Sequence, residues 1–182
     1  MMNNQSKLDK KSKSLAFLLR HDTKAFEEGV IDEHGWRESR ELIKEHGFSR
    51  AELVAIVSAD TKGRYEWNKP KTKLRAVQGH SIPVDLELEE GVPPTVLYHG
   101  TSSRFLGSIM RDGIRKMTRQ YVHLSLDVET AKEVGKRHGG MPIVIVIDAK
   151  KMVEDGIKFY HSKNGYWLTD YVDYKKYGSY TA

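Results

Sequence analysis

Cysteine is absent from this chain of 182 residues, which excludes a disulfide framework and any thiolate metal site. Nothing asks for an oxidising compartment, so a cytoplasmic protein is expected. Long apolar runs are missing as well. The longest, around Ile143 to Ile147, falls far short of a bilayer span, and the opening Met-Met-Asn-Asn-Gln-Ser-Lys has no apolar stretch of the kind a signal peptide needs. The expected protein is soluble and has no membrane partner. Neither sign of charge dominates: 30 Lys and Arg stand against 25 Asp and Glu, for a net +5. That balance favours polyanionic partners without the lopsidedness of a nucleic-acid coat. There is no G-x-G-x-x-G after a strand, no Walker A sequence and no H-E-x-x-H. The eight histidines are scattered without ligand spacing, so no metal is expected.

What is present divides in two. Leu8, Leu15, Leu18 and Leu19 recur at helical spacing and predict a helix over residues 8–20 with Asp9 as its N-cap. A second helix is predicted over 38–46, with Gly47 placed as a C-terminal glycine cap. Ser49 and Glu52 have capping-box spacing ahead of Leu53, Val54, Ile56 and Val57, which marks a third. Residues 64–67 and 74–78, on either side of a Lys/Pro-rich turn, read as a β-hairpin. Three helices and a hairpin suggest a winged helix. Residues 87–94 are acidic and end in Gly-Val-Pro-Pro, a composition that suits a linker and places the domain boundary at residue 90. Beyond it, strands are predicted at 96–98, 122–126, 143–148, 158–160 and 166–168, with helices at 104–111 and 128–137, so this lobe mixes α and β.

Polar clusters stand at the ends of these elements: Arg20-His21, Arg64, Gln78-Gly79-His80-Ser81, His99-Gly100-Thr101, and the run from Arg119 to Ser125. Such positions are where a scaffold presents functional groups. Each also has a structural reading. Arg20 complements the dipole at the end of the first helix, Arg64 lines the exposed face of a wing strand, and His99 is a satisfied histidine at a strand end. Taken one at a time, the structural readings weigh at least as much.

Taken together, the local strings say more. Leu-Leu-Arg-His at 18–21, Lys-Gly-Arg-Tyr at 62–65, Arg-Ala-Val-Gln-Gly-His-Ser at 75–81 and Leu-Tyr-His-Gly-Thr at 97–101 are followed by Tyr-Val-His-Leu-Ser at 121–125, Val-Gly-Lys-Arg-His-Gly at 134–139 and Asn-Gly-Tyr-Trp-Leu-Thr at 164–169. In this order they resemble the RNA 2′-phosphotransferase (KptA) family over nearly the whole chain. The resemblance implies an α+β protein, with an N-terminal winged-helix lobe over 1–90 followed by an ADP-ribosyltransferase-like mixed α/β lobe over 91–182. It implies Arg20, His21, Arg64 and Arg119 as the catalytic residues. Tyr65, Gly63 and Tyr166 depart from the family's usual residues, and none of these departures removes a charge.

The implied reaction consumes NAD⁺ as co-substrate. A 2′-phosphate on RNA, such as spliced tRNA, attacks C1″ of the nicotinamide ribose and expels nicotinamide. The ribose O2″ then attacks phosphorus, giving 2′-OH RNA and ADP-ribose 1″,2″-cyclic phosphate. Guanidinium groups suit a phosphate of about −1.5 to −2 charge. A neutral His21 suits removal of the O2″ proton. His99, Gly100 and Thr101 are the first choice for the NAD⁺ pocket, Gly100 because it lets backbone approach the dinucleotide. Ser125 is the second, and Arg137 with His138 is assigned to a phosphate or the RNA. The expected protein works as a monomer. Two rivals remain: a mono-ADP-ribosyltransferase that stops after the first step, and a non-enzymatic winged-helix nucleic-acid binder. Residues 49–60 hold one arginine and two acids, a poor recognition helix for the latter.

Overall fold

A computed structural model describes residues 2–180, a mixed α/β chain that divides into two compact units, one ending at Glu87 and the other beginning at Leu88. The first unit runs α1 (Met2–Arg20), α2 (Thr23–Glu27), β1 (Arg37–Glu38), α3 (Ser39–His46), α4 (Arg50–Ser58), β2 (Tyr65–Trp67) and β3 (Lys73–Ala76). Leu15, Leu18 and Leu19 of α1 meet Leu42 of α3, Leu53 and Ile56 of α4, and Tyr65, Leu74 and Ala76 of the sheet in one core. The strands are antiparallel in the order β1-β3-β2, with Trp67 opposite Leu74 and Tyr65 opposite Ala76. α1 begins at Met2, not at Asp9, because residues 2–8 contain neither Pro nor Gly and the helix propagates back past its apolar face.

The caps follow the local chemistry. Gly47 takes φ 67, the left-handed conformation that ends α3, and its N–H bonds to the Leu42 carbonyl. The Glu52 N–H donates to Ser49 Oγ at 3.2 Å while the Ser49 N–H donates to Glu52 Oε2 at 2.8 Å, completing the capping box of α4. Two arginines of this unit are structural. Arg37, 2% exposed, donates to the Leu18 carbonyl and Asp22 Oδ2 at 2.9 Å each, to Glu41 through Nε at 2.6 Å, and to His46 Nε2 at 2.8 Å. One guanidinium thereby fastens α1, the start of α2, and α3 to β1. Arg75 donates to Glu66 at 2.5 Å and to the His34 carbonyl at 3.1 Å while lying 4.4 Å over the Trp36 ring.

The second unit runs β4 (Glu89–Glu90), β5 (Val96–Ser102), α5 (Ser103–Asp112), β6 (Ile114–Arg115), β7 (Val122–Leu124), α6 (Val128–Lys136), β8 (Pro142–Asp148), α7 (Ala149–Glu154), β9 (Tyr160–His161), β10 (Trp167–Thr169), β11 (Tyr171–Val172), α8 (Tyr174–Tyr177) and β12 (Gly178–Tyr180). The stretch expected to be a linker contains β4, which pairs with β9. Two antiparallel sheets carry the unit, β12-β8-β5 and β4-β9-β10-β7. They meet at one isolated bridge, where the Tyr98 N–H donates to the Ser125 carbonyl at 2.9 Å and the Ser125 N–H returns to the Tyr98 carbonyl at 2.7 Å. Leu97, Ile145, Ile147, Leu124, Trp167 and Phe159 form a core drawn from both sheets. α6 crosses β5 with the two backbones touching: a Cβ added to Gly100 would lie 1.8 Å from the Ala131 carbonyl oxygen, and one on Gly135 would lie 2.6 Å from that of Thr101. None of the described helices is long and apolar enough to cross a membrane.

Candidate active site

In the first unit, Arg20 is the last residue of α1, and its carbonyl accepts the N–H groups of Ser81 at 3.0 Å and Ile82 at 3.4 Å. The helix end is therefore closed by the chain that follows β3. His21 continues from it, its N–H on the Phe17 carbonyl at 2.9 Å and its ring 5.8 Å from that of Phe17. His21 Nδ1 lies 2.9 Å from Ser81 Oγ, and that hydroxyl reaches the Arg20 carbonyl at 3.5 Å. With the hydroxyl donating to the carbonyl, its lone pair accepts from His21 Nδ1–H, which leaves Nε2 as the basic nitrogen. Arg64 is held differently. Its Nε donates to Asp60 Oδ1 at 2.8 Å, its N–H to the other oxygen of Asp60, and its carbonyl accepts from Val77 N–H at 3.0 Å. The Asp60 side chain is only 2% exposed, so it fixes the arginine by the stem while the two Nη groups keep their donors. The stretch from Val77 to Ser81 thus anchors both arginines and His21.

Ser81 and Asp60 went unassigned in the sequence because their partners are named only by the fold. Ser81→Ala is expected to cut kcat about fivefold, the value of one neutral hydrogen bond of about 1 kcal/mol, and to shift the acid limb of the pH–rate profile as His21 loses its fixed tautomer. Ser81→Thr is expected to restore both. An unchanged pH profile in the alanine variant would remove Ser81 from this role.

In the second unit the assigned residues gather where the two sheets meet. His99 Nδ1 lies 3.2 Å from the His123 carbonyl, which only accepts, so Nδ1 carries the proton and Nε2 is an acceptor. Burial pushes the pKa of His99 below its ordinary 6.5, and nearby His138 adds to this against the opposing bond to His123. The imidazole is neutral in the fold. An unfolded chain protonates first as pH falls, so this histidine withdraws stability from the fold as pH drops from about 6.5 toward its lower folded value. Backbone groups alternate between strand edges, so the N–H and C=O of Gly100 point to the same edge as those of Tyr98, past the bridge to Ser125 and away from β8. The missing Cβ of Gly100 is accounted for by α6 packing on the strand. Thr101 and Ser125 are each 4% exposed, and their backbone groups are committed, those of Thr101 toward β8 and those of Ser125 to Tyr98.

Arg119 lies in the turn before β7, its N–H on the Lys116 carbonyl at 3.0 Å. Its guanidinium is held below its ordinary pKa by desolvation first and then by the positive charge of Arg137. Arg137 caps α6, and His138, the next residue, meets Phe105 edge-on at 6.1 Å. The following turn is fastened to the end of β5, where Ser102 Oγ donates to the Gly139 carbonyl and Ser103 N–H to that of Met141 at 2.8 Å. Among the described residues no carboxylate pairs with Arg119 or Arg137, and no three His, Asp or Glu side chains are grouped to hold a metal ion.

Residues 6–171 match the family described as RNA 2′-phosphotransferase, Tpt1 / KptA family. The chain is similar to a probable RNA 2′-phosphotransferase of Fusobacterium nucleatum, 46% identical over 179 residues, which covers 96% of this chain and 98% of that one. It is likewise similar to proteins of the same description from Flavobacterium johnsoniae, at 44% identity with 90% and 94% covered, and Acaryochloris marina, at 45% with 88% and 91% covered.

Proposed function

Because the chain belongs to the RNA 2′-phosphotransferase, Tpt1 / KptA family, we propose that it transfers an internal RNA 2′-phosphate to NAD⁺, with nicotinamide, 2′-OH RNA and ADP-ribose 1″,2″-cyclic phosphate as products. The observation that carries this reading is the family match over residues 6–171; beside it, Arg119 and Arg137 oppose each other's charge and have no carboxylate partner among the described residues. Such a pair is stabilised by an anion brought from outside, and guanidinium groups favour phosphate oxygens. Neutral His99 adds an acceptor, and the N–H and C=O of Gly100 face away from β8. That donor set fits NAD⁺: cations for its phosphates, uncharged hydrogen-bonding groups for its amide and ribose.

In this reading the first unit is the winged-helix, RNA-binding lobe and the second the ADP-ribosyltransferase-like lobe. Arg20 and Arg64 hold the 2′-phosphate, and His21, its Nδ1 tied to Ser81, takes the O2″ proton at Nε2. The departing RNA 2′-oxygen collects a proton to become a hydroxyl. Arg119 meets the charge that gathers on the phosphoryl oxygens. The test is incubation of a 2′-phosphorylated oligonucleotide with and without NAD⁺, read by mass spectrometry. The expected result is loss of phosphate with appearance of the cyclic product, only when NAD⁺ is present. Phosphate leaving equally well without NAD⁺ overturns the proposal, and RNA that ends as a stable ADP-ribose adduct makes the chain an ADP-ribosyltransferase instead.

A further inference from the structure

The turn between β2 and β3 is ordered by its own side chains. Asn68 Oδ1 accepts the N–H groups of Thr72 at 2.8 Å and Lys73 at 2.9 Å, and the Asn68 carbonyl accepts that of Lys71 at 2.8 Å. Lys71 sits at φ 55, a conformation that strains any residue with a Cβ and that glycine adopts freely. A lysine stands there nonetheless, with its side chain exposed, and strain at a surface turn directs attention to what that side chain does. Lys69 and Lys71 are both exposed. Arg50 of α4 joins them, stacked 4.4 Å over the Trp67 ring, with Nη2 on the Lys71 carbonyl at 2.7 Å and Nη1 on Ser39 Oγ at 3.2 Å. Arg40, next in α3 after Ser39, is exposed too.

Three of the neighbouring acids are committed elsewhere. Asp32 lies 3.3 Å from Lys73, Glu66 holds Arg75 and Glu41 holds Arg37, while Glu38 is half-buried. Lys69, Lys71, Arg40 and Arg50 have no carboxylate partner among the described residues. Arg64, with its route to the 2′-phosphate, stands at the other end of the same hairpin, on the order of 15 Å away at the rise of an extended strand.

We infer that this turn, with Arg40 and Arg50, is a second RNA-binding surface, which grips backbone phosphates several nucleotides from the reacting one and reads no base. The inference rests on the proposed function for its substrate. A row of cations on a rigid turn and on the first turns of two helices matches the repeated charge of a phosphate backbone. The turn has no apolar side chain but Pro70, which gives a lipid surface nothing to hold. Backbone-phosphate grips of this kind act on affinity and leave the chemical step alone, so they show in KM and in its salt dependence.

The test compares the wild type with Lys69→Ala/Lys71→Gly on 2′-phosphorylated RNA of about six and about thirty nucleotides. For the longer RNA, KM is expected to rise about tenfold with kcat unchanged, and the slope of log KM against log salt to fall by about 1.5, near 0.7 to 0.9 for each phosphate no longer neutralised. For the shorter RNA neither constant is expected to move. Thermal stability is expected to hold or rise, since glycine relieves the strain at residue 71. Equal KM for the longer RNA in both proteins, or equal weakening toward both lengths, overturns the inference. If the wild type transfers no phosphate, fluorescence anisotropy with the longer RNA still decides: a tenfold loss of affinity in the variant supports the surface, and unchanged affinity rejects it.

Discussion

Arg119→Ala is expected to turn over 2′-phosphorylated RNA on the order of a hundred to a thousand times more slowly than the wild type, with RNA bearing 2′-phospho-ADP-ribose building up during a single turnover. The unequal effect comes from where charge goes. In the reaction proposed above, the 2′-phosphate is the nucleophile of the first step and gives up charge to the bond it forms at C1″, so a cation beside it helps little. In the second step phosphorus becomes five-coordinate and its equatorial oxygens gain charge, which a guanidinium already in place stabilises by about 3 to 4 kcal/mol. Folding is expected to be untouched, because Arg119, open to solvent though its guanidinium is partly desolvated, has no carboxylate to abandon among the described residues and opposes Arg137. The measurement is a quenched time course resolving RNA, adduct and product. A slow variant whose adduct never exceeds the wild-type level would assign Arg119 to substrate binding.

Gly100→Ala is expected to lower the melting temperature by roughly 15 °C and to abolish most activity. The new Cβ would stand 1.8 Å from the Ala131 carbonyl oxygen, 2.6 Å from its carbon and 3.0 Å from the Gly135 nitrogen. All three are backbone atoms, so no rotamer relieves the clash; α6 itself must move away from the strand. The seven-residue ladder of β5 with β8 resists movement from the other side. Overpacking of this kind costs about 3 kcal/mol, which for a domain of about a hundred residues is the shift given. Activity is expected to fall with it because α6 is capped by Arg137 and leads into His138, the pair assigned to a phosphate or the RNA. Gly107→Ala, in α5 with nothing within 4 Å of its new Cβ, is the control, expected to be neutral or slightly stabilising. A melting temperature within about 2 °C of wild type for Gly100→Ala would show that α6 gives way freely.

Elements governed by near neighbours were legible in the sequence. The cap at Gly47, the Ser49–Glu52 box and the hairpin depend on residues close together in the chain. α2 and β1 were not, because a five-residue helix and a two-residue strand carry no periodicity to detect. β1 exists because Arg37 and Glu38 lie along β3, opposite Leu74 and Lys73 from a distant part of the chain. Arg37 and Arg75 illustrate the same limit: nothing local separates a buried arginine from a surface one, since its counter-charges arrive from other elements. The candidate site was legible as places and not as partnerships. Arg20, His21, Arg64 and His99 stood out as polar residues at element ends, yet the atoms that orient His21 and His99 lie 60 and 24 residues away. The need for glycine at position 100 was visible, and its physical reason, the passage of α6, was not.

In mechanical language, the second unit is two plates riveted backbone to backbone at Tyr98 and Ser125, with the His99 side chain as a second tie to the His123 carbonyl. Across the seam between β5 and β7 the backbone bears load through the two hydrogen bonds of Tyr98 and Ser125, whereas inside each plate a ladder shares it. The common core of Leu97, Leu124, Ile145 and Trp167 acts as the spring that returns the plates to rest. The backbone fastening ends at Tyr98, so the N–H and C=O of Gly100, two residues on along the same edge of β5, lie past the last backbone tie between the plates.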